Sequence, residues 1–540
     1  MTGVQETLSA LLERVTEEVG DAPALFYGGE TWSYTALLNR SRRAASALAA
    51  LGIGRGDKVA LWLPNVPAYP ALYFALGRLG AVAVAVNTRF RALEVADILS
   101  RSGAKALAMW PGFKDIDFSG LLAEIGEGPL AGLERVLVYD ESEAPVPKQV
   151  AGKPVTAVSA LFGAPPLVED RATPDVPCNI FTTSGTTSKP KFVLHGQGPV
   201  TRHARDCVSA FGWDRPGAVS YQATPVCGVF GFSTMMATLA AGAPNVLAPL
   251  FTPGEAADAV RRHKVTHFMG TDDMYAGMLA LREDLEPFPS LRLCGYALFN
   301  PTLEDFETKT LARGVPLIGL YGMSEVGALM AVQKIDAPLE DRLAGGGYPV
   351  APEAVVRVRN VETDELCPPG VSGEVEMRCP SLFLRYEGNP EATAAAMTED
   401  GFLRTGDAGR MRADGSFVYE ARMGDTLRLA GFLTAPSEIE AHVETHPSVA
   451  GCQVVGVATP RGPRAFAFVR PADDSYDETA LLGWCRETMA NYKVPVRAAP
   501  IDAFPVTHSA NGTKIQKAEL RRMAEALEAD AASVRSAAAL

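Results

Sequence analysis

The chain has no C-x-x-C pair: its eight cysteines (Cys178, Cys207, Cys227, Cys294, Cys367, Cys379, Cys452 and Cys485) are scattered over 540 residues. That spread argues against a zinc site on paired thiolates or a disulfide framework, and fits reduced thiols in the cytoplasm. A basic block is missing too. With a net charge of −13 and no lysine- or arginine-rich run, the sequence carries no footprint for a nucleic acid. The N-terminus, Met1-Thr2-Gly3-Val4-Gln5-Glu6, has no basic region followed by an apolar core, so no signal peptide is expected. Residues 216–254 lack any charged side chain, but glycines and prolines break the stretch, which predicts a buried pocket wall and no membrane span. The histidine pairs His263/His267 and His442/His446 have no carboxylate or third ligand nearby, which favours core or surface roles over metal binding.

What is present reads as a soluble globular protein of two to four domains, 47% apolar and 21% charged. Apolar spacing predicts a helix over 5–19, a strand at Glu30–Tyr34, a helix over 37–51 and a strand at Lys58–Leu63. A helix (68–79), a strand (81–86) and a helix (91–101) follow, so the alternation implies a parallel sheet with crossover helices. Gly52, Gly54 and Gly56 precede a strand instead of following one, which makes them a turn and not a dinucleotide loop. From 426 the pattern becomes α+β: strands at 427–429 and 431–434, a helix starting at Ser437, strands at 451–457 and 465–469, and a helix near 476–490.

One stretch organises the rest. Thr182 to Ser188 packs six hydroxyl side chains and Gly185 into seven residues, followed by Lys189, Pro190 and Lys191. Hydroxyls and free backbone N–H groups in a turn form an anion-binding concavity, and the lysines add positive charge. It is not the P-loop of the NTPases, because G-x-x-x-x-G-K-[ST] is absent. In isolation a surface loop rich in Ser and Thr is the blander reading.

The stretch resembles the phosphate loop T-S-G-T-T-G-x-P-K-G of the acyl-adenylate-forming enzymes, the superfamily of acyl-CoA synthetases, luciferases and peptide-synthetase adenylation domains. Seven of nine specified positions agree; Ser188 and Phe192 replace glycines. Further similarities follow in the family's order over about residues 20–525. The resemblance implies an α/β fold: a large N-terminal domain (1–424) with mixed or parallel sheets and crossover helices, and a small, mobile α+β C-terminal domain (425–540) hinged at Asp425.

The same resemblance implies the site. Thr183, Ser184, Gly185, Thr186, Thr187, Lys191 and Phe192 stand at the triphosphate, and Gly295, Tyr296 and Ala297 line the adenine. Tyr321-Gly322-Met323-Ser324-Glu325 resembles Y-G-x-T-E. It implies adenine stacking on Tyr321, a Ser324 hydroxyl to phosphate and Glu325 as a Mg²⁺ ligand, one hard carboxylate completed by phosphate oxygens. Taken alone, that motif reads equally as a helix cap. Asp407 of Thr405-Gly406-Asp407 is implied at the ribose hydroxyls, where two carboxylate oxygens suit a vicinal diol, with Arg422 beside it. Outside the resemblance both segments are only turns. Cys227, Gly228, Val229, Phe230 and Gly231 fall where the family lines its acyl pocket; Gly228 replaces a usual histidine or aromatic, which implies room for a bulky acid. Asp425 and Gly431 mark the hinge and CoA side, and Gly424 beside the hinge adds backbone freedom. Lys514, in a P-x-T-x-x-G-K-I motif lengthened by extra residues, is the lysine that bridges carboxylate and α-phosphate.

The implied activity is ATP-dependent ligation of a carboxylic acid to CoA through an acyl-adenylate, with Mg²⁺, in the cytoplasm; a homodimer is common in relatives. The two lost glycines open a second reading. A phosphate-loop glycine often serves positive φ, and a bulky residue forced there costs roughly 1–2 kcal/mol. On that reading Ser188 and Phe192, together with the irregular Lys514 motif, impair adenylation, a partner enzyme supplies acyl-AMP, and this chain performs only the transfer to CoA. A non-enzymatic protein that binds acyl-AMP or acyl-CoA is the third.

Overall fold

The computed structural model describes residues 5–140, 146–182, 190–297, 305–423, 427–429, 432–434, 436–459, 462–489, 491–509 and 512–538, with the side chains of 428, 432–433, 462, 507–509, 512–514 and 530–538 excepted. Two large sheets organise the chain up to Arg422. In the nine-stranded one, Lys58–Trp62, Val82–Ala85, Ala106–Met109 and Arg135–Val138 run parallel, as the alternating pattern predicts. Pro177–Thr182 joins Val82–Ala85 in parallel, then folds back as an antiparallel hairpin with Phe192–Gly196. At one edge of this sheet Arg385–Tyr386, from much later in the chain, pairs antiparallel with Phe192–Gly196.

The thirteen-stranded sheet has a parallel centre, with Ser220–Gln222, His267–Thr271, Leu293–Ala297 and Leu317–Met323 as neighbours. Beyond Leu317–Met323 it turns antiparallel through Gly327–Val332, Gly346–Pro349, Phe417–Arg422 and Leu403–Met411. Glu30–Ser33 pairs with an unexpected strand, Pro23–Tyr27, and both lie at the edge of this second sheet. Helix Ala68–Leu79 is buried along its whole length, and the apolar core that contains it draws on both sheets and on helices Leu8–Val19, Tyr34–Ala50 and Val229–Ala240.

The uncharged stretch 216–254 contributes two strands of the larger sheet, Ser220–Gln222 and Asn245–Leu247, and helix Val229–Ala240. No described helix is long and apolar enough to cross a membrane. Gly52 and Gly56 both have positive φ, as the turn reading requires.

After residue 426 the chain builds its own apolar cores, from Leu427, Leu429, Ile439, Val454, Ala467 and Leu481 on one side and Val455, Phe466, Phe468 and Leu520 on the other. The elements are strands Leu427–Leu429 and Phe432–Thr434, helix Pro436–Val443, the long pair Val449–Thr459/Gly462–Pro471, helix Glu478–Thr488, hairpin Val506–Ser509/Gly512–Ile515 and helix Lys517–Ala538. The fold is an α/β N-terminal domain with mixed sheets plus a small α+β C-terminal domain. His442 and His446 are packed around Trp484, and His442 Nε2 lies 2.8 Å from Thr488 Oγ1. His263 ends a helix while His267 starts a strand and stacks on Trp213, so the second pair is split between elements.

Candidate active site

The hairpin Pro177–Thr182/Phe192–Gly196 carries the start and end of the Ser/Thr-rich stretch. Strand alternation sends successive side chains to opposite faces. Ile180, Phe192 and Leu194 enter one core with Val82, Val84 and Leu99, while Phe181, Val193 and His195 face the other way. Phe192 therefore corrects the sequence reading. It lies opposite Thr182 in regular pairing, has no left-handed φ, and is 1% exposed. The Arg101 guanidinium caps its ring at 4.0 Å and also donates to the Pro190 carbonyl. The ring is neither strained nor turned to the face of Lys191, so it packs the core and does not line a nucleotide site. Thr183, Ser184, Gly185, Thr186, Thr187 and Ser188 lie outside the described residues.

Lys191 stands on the other side, its Nζ 4.6 Å from the centre of the Tyr386 ring. The Tyr386 hydroxyl donates to Glu325 Oε1 at 2.7 Å, and Phe383 N donates to the Glu325 carbonyl at 2.7 Å. Burial, and then the Glu325 carboxylate, push the Tyr386 phenol well up, so it stays protonated and keeps donating. Nothing in the run Phe383 to Glu387 marks this tyrosine as special in the sequence; only the pairing of Val193 with Tyr386 brings it to Lys191 and Glu325.

Tyr321-Gly322-Met323-Ser324-Glu325 is a strand end and a turn, not a helix cap, and Gly327 begins the returning strand. A Cβ on Gly322 would stand 2.6 Å from the Ala328 Cα, so the tight hairpin itself demands glycine there. Glu325 is buried at 6% exposure, Ser324 half-buried.

The third group comes from Leu403–Met411 and Phe417–Arg422, whose register puts Asp407 opposite Arg422. Asp407 accepts from the Tyr321 hydroxyl through Oδ2 and from Arg422 Nη1 through Oδ1, at 2.5 and 2.7 Å. Arg422 also donates to the Thr405 carbonyl at 2.8 Å. Burial alone would lower the Arg422 pKa, but the attraction of Asp407, with smaller ones from Tyr321 and Glu325, raises it above its usual value. Tyr321 and Glu325 share one strand end and turn, so the hydrogen bond from Tyr321 to Asp407, 86 residues on, brings both motifs into one polar cluster.

Leu293–Ala297 is a strand of the parallel centre. A Cβ on Gly295 would stand 2.5 Å from Met269 Sδ and 2.6 Å from Leu320 Cδ2, so those side chains would have to shift. Tyr296 is 5% exposed and its hydroxyl donates to the Leu343 carbonyl at 3.0 Å, so this ring is held in the core beside Phe306. Ala297, at the strand end, is half-buried.

Gly228 has extended backbone and caps helix Val229–Ala240. Gly231 sits in the helix where a Cβ would be 2.3 Å from the Pro225 carbonyl oxygen, so close backbone approach explains it. Burial pushes the Cys227 thiol up to about 12 and keeps it protonated. A small, mostly apolar cleft, partly open to solvent and with room for about one water, lies between this helix and Gln197–Phe211, against Phe181, His195 and Gly327. Of residues 227–231, Val229 alone lines it, joined by Phe232, Ser233 and Met236. Helical spacing puts those four on one face, whereas Gly228 and Phe230 belong to others. The room in this region is thus on a different face of the helix from the missing ring at 228.

In the small domain, Lys514 pairs across its hairpin with Thr507, so the extra residues of the motif lengthen two paired strands; its side chain, like Asp425 and Gly431, lies outside the described residues.

Comparison with known proteins gives this geometry a family. The description "AMP-binding enzyme" matches residues 12–387, and "AMP-binding enzyme C-terminal domain" matches residues 438–511. A feruloyl-CoA synthase of Amycolatopsis sp is 31% identical over 518 residues, which is 93% of this chain and 96% of that protein. A 3-hydroxybenzoate–CoA ligase of Aromatoleum sp. (strain CIB) is 32% identical over 529 residues, 95% of each chain. The anthranilate CoA ligase AuaEII, solved in complex with anthranoyl-AMP, superposes with a TM-score of 0.80 at 24% identity, covering 100% of this chain and 99% of its own. The chain belongs to the AMP-binding enzyme family, among the acid–thiol ligases that work through an acyl-adenylate.

Proposed function

We propose that the protein is an acyl-CoA ligase that performs both half-reactions on a bulky carboxylic acid. One observation carries this: Tyr321, Asp407 and Arg422 close one hydrogen-bonded group and Lys191, Tyr386 and Glu325 a second, with Tyr321 and Glu325 on the same strand end and turn, while a small apolar cleft is lined by Gly327 of that turn. A charged, oxygen-rich head and an apolar tail, held on two sides of one turn, is the shape of an acyl-adenylate.

In the first step a carboxylate oxygen of the acid attacks the α-phosphorus of ATP and the bond to pyrophosphate breaks. Lys191, with the loop 183–188, draws charge from the departing group, and Lys514 neutralises carboxylate and α-phosphate as they meet. Asp407 accepts from the ribose hydroxyls, and Arg422 fixes the orientation of that carboxylate. Glu325, its Oε1 oriented by Tyr386, would hold a Mg²⁺ bound with the triphosphate, since one hard carboxylate beside phosphate oxygens suits that ion. Bound there, the ion would offset the triphosphate's charge. In the second step the CoA sulfur attacks the acyl carbon and AMP leaves with the bonding electrons. One cleft does not suit both arrangements, so the small domain (425–540) turns about Asp425 between them.

The buried ring of Phe192, without left-handed φ, speaks against one of the three grounds for expecting the first step to fail. The names of the two curated relatives, feruloyl-CoA synthase and 3-hydroxybenzoate–CoA ligase, support an aromatic or similarly bulky acid. The test compares acid-dependent ATP–pyrophosphate exchange over a panel of such acids with thioester formation from preformed adenylates. Activity in both is expected. Thioester formation without exchange would leave only the second half-reaction, and neither would leave a binding protein.

A further inference from the structure

The turn that carries Ser324 and Glu325 has its carbonyls taken up by donors from outside the hairpin. His195, on strand Phe192–Gly196, approaches the Ser324 oxygen through Nε2 at 2.7 Å. Phe383 N donates to the Glu325 oxygen at 2.7 Å, and the Ser381 hydroxyl to that of Val326 at 2.6 Å. From helix Gln197–Phe211, His203 Nε2 lies 2.6 Å from the Ala328 oxygen and the Cys207 thiol 3.6 Å from that of Leu329. Leu329 itself has a φ of 67°, and among the described residues it is the only buried non-glycine residue in the left-handed region. Such a backbone persists only where its surroundings over-determine it, and strain of that kind collects at functional sites. The hairpin is held to its shape by its neighbours.

Of the side chains that donate, His195 alone reaches the peptide that joins Ser324 to Glu325; Ser381, His203 and Cys207 act farther along the turn. A carbonyl oxygen only accepts, so the His195 proton sits on Nε2. Burial keeps the ring neutral, pushing its pKa down to about 4. The Ser324 carbonyl and the Glu325 N–H share one rigid peptide plane. Holding that oxygen therefore fixes the plane from whose two ends the Ser324 and Glu325 side chains leave. Tyr386 fixes the far end of Glu325, at Oε1, and His195 the near end. The same histidine sits in regular pairing with Asn179, on the strand that follows Lys191. Its one hydrogen bond ties together two parts of the site that lie 129 residues apart in the chain.

We propose that His195 is a positioning residue for adenylation: through the Ser324 carbonyl it holds the Ser324 hydroxyl and the Glu325 carboxylate in register with Lys191, so that the triphosphate and its Mg²⁺ meet all three at once. The inference rests on the ligase reading, which supplies the roles of Ser324, Glu325 and Lys191. It adds a residue that lies outside the motifs read from the sequence.

The test compares two variants of the full-length enzyme. His195→Gln keeps an N–H donor at similar reach, whereas His195→Met is close to it in shape and has none. Three quantities are measured on each: acid-dependent ATP–pyrophosphate exchange, its dependence on Mg²⁺, and thioester formation from preformed acyl-adenylates. His195→Met should lose roughly 10- to 100-fold in exchange and need more Mg²⁺ for half-maximal rate. Thioester formation, which involves no triphosphate, should fall far less, and His195→Gln should regain most of the exchange. Normal exchange in His195→Met overturns the proposal. So does an equal fall in both half-reactions that glutamine does not relieve, the mark of a purely structural residue. Should the Met variant not fold, nitrogen NMR of the histidine rings in the unaltered enzyme, with His195 assigned through the Gln variant, still decides. A neutral ring protonated at Nε2 is expected, and a proton on Nδ1 overturns the proposal. If no acid supports exchange in the unaltered enzyme, the ligase reading fails instead. Calorimetry of Mg²⁺–ATP binding then judges His195: affinity about tenfold weaker in the Met variant alone is expected, and equal affinity in all three proteins overturns the proposal.

Discussion

The two faces of the hairpin Pro177–Thr182/Phe192–Gly196 make opposite use of adjacent residues. On one, Phe192 and Leu194 are core, closed off from solvent and packed against Val84 and Leu99. On the other, Lys191 and His195 face Tyr386 and the cavity, where polar atoms are oriented by single hydrogen bonds. One residue of register separates stability from chemistry. Substitution of glycine by a large residue beside a phosphate loop reads as damage in a linear motif, yet here the change falls on the face where bulk is an asset.

The sharpest way to break that comparison is Phe192→Gly. Removal of a buried phenyl ring costs about 3–5 kcal/mol, and glycine in a strand adds about 0.5–1 kcal/mol. Chemical denaturation should show that loss, with no gain in pyrophosphate exchange; a variant that kept its stability and adenylated faster would put the ring in the site after all. The opposite pattern is expected for Asp407→Asn, which keeps shape but loses a charge-assisted acceptor. Exchange should fall roughly 10²-fold while the melting temperature moves by only a few degrees. A large loss of stability with normal activity would make the Asp407–Arg422 pair structural.

Acid titration probes the cavity side. His195 binds its proton at about 4 in the folded protein, below the ordinary 6.5 that it regains on unfolding. Between those values the unfolded chain holds more protons, so stability falls with acidification, by about 1.4 kcal/mol per pH unit below 6.5. The loss runs until the folded form itself protonates. His267, also near 4 through burial, acts in the same window, so His195→Phe should flatten the slope measured by denaturation at pH 5 to 7 without abolishing it. An unchanged slope would mean that His195 is not buried neutral. The smallest expected effect is Tyr386→Phe, which removes one hydrogen bond to the Glu325 carboxylate. Exchange should fall about tenfold, and the Mg²⁺ concentration for half-maximal rate should rise. No change in either would leave Tyr386 as packing alone.

The motifs were legible because each is local. Asp407, Arg422, Tyr321 and Glu325 sit in short segments whose order carries the family resemblance, and three of those segments do come together. Short apolar runs between turn residues, such as Lys58–Trp62 and Ala68–Leu79, were equally readable. What escaped has a common cause. Tyr386 reaches Glu325 only because a two-residue strand pairs with Val193, and no composition signals such a pairing. His195 and His203 read as isolated histidines until a strand and the next helix turn both rings to one cavity. Glu30–Ser33 alternates like any strand, yet it joins the second sheet and not that of Lys58–Trp62, a choice made by long-range packing.

The family, the α/β class with its small α+β companion, and the residue types available for phosphate, ribose and metal can all be read from the linear chain. These follow from spacing along the chain, which survives without coordinates. Which face Phe192 occupies, which tyrosine orients Glu325 and which helix face lines the cleft follow from long-range packing instead. Each of those depends on register between segments far apart in the chain, and a shift of one residue in a strand reverses the answer.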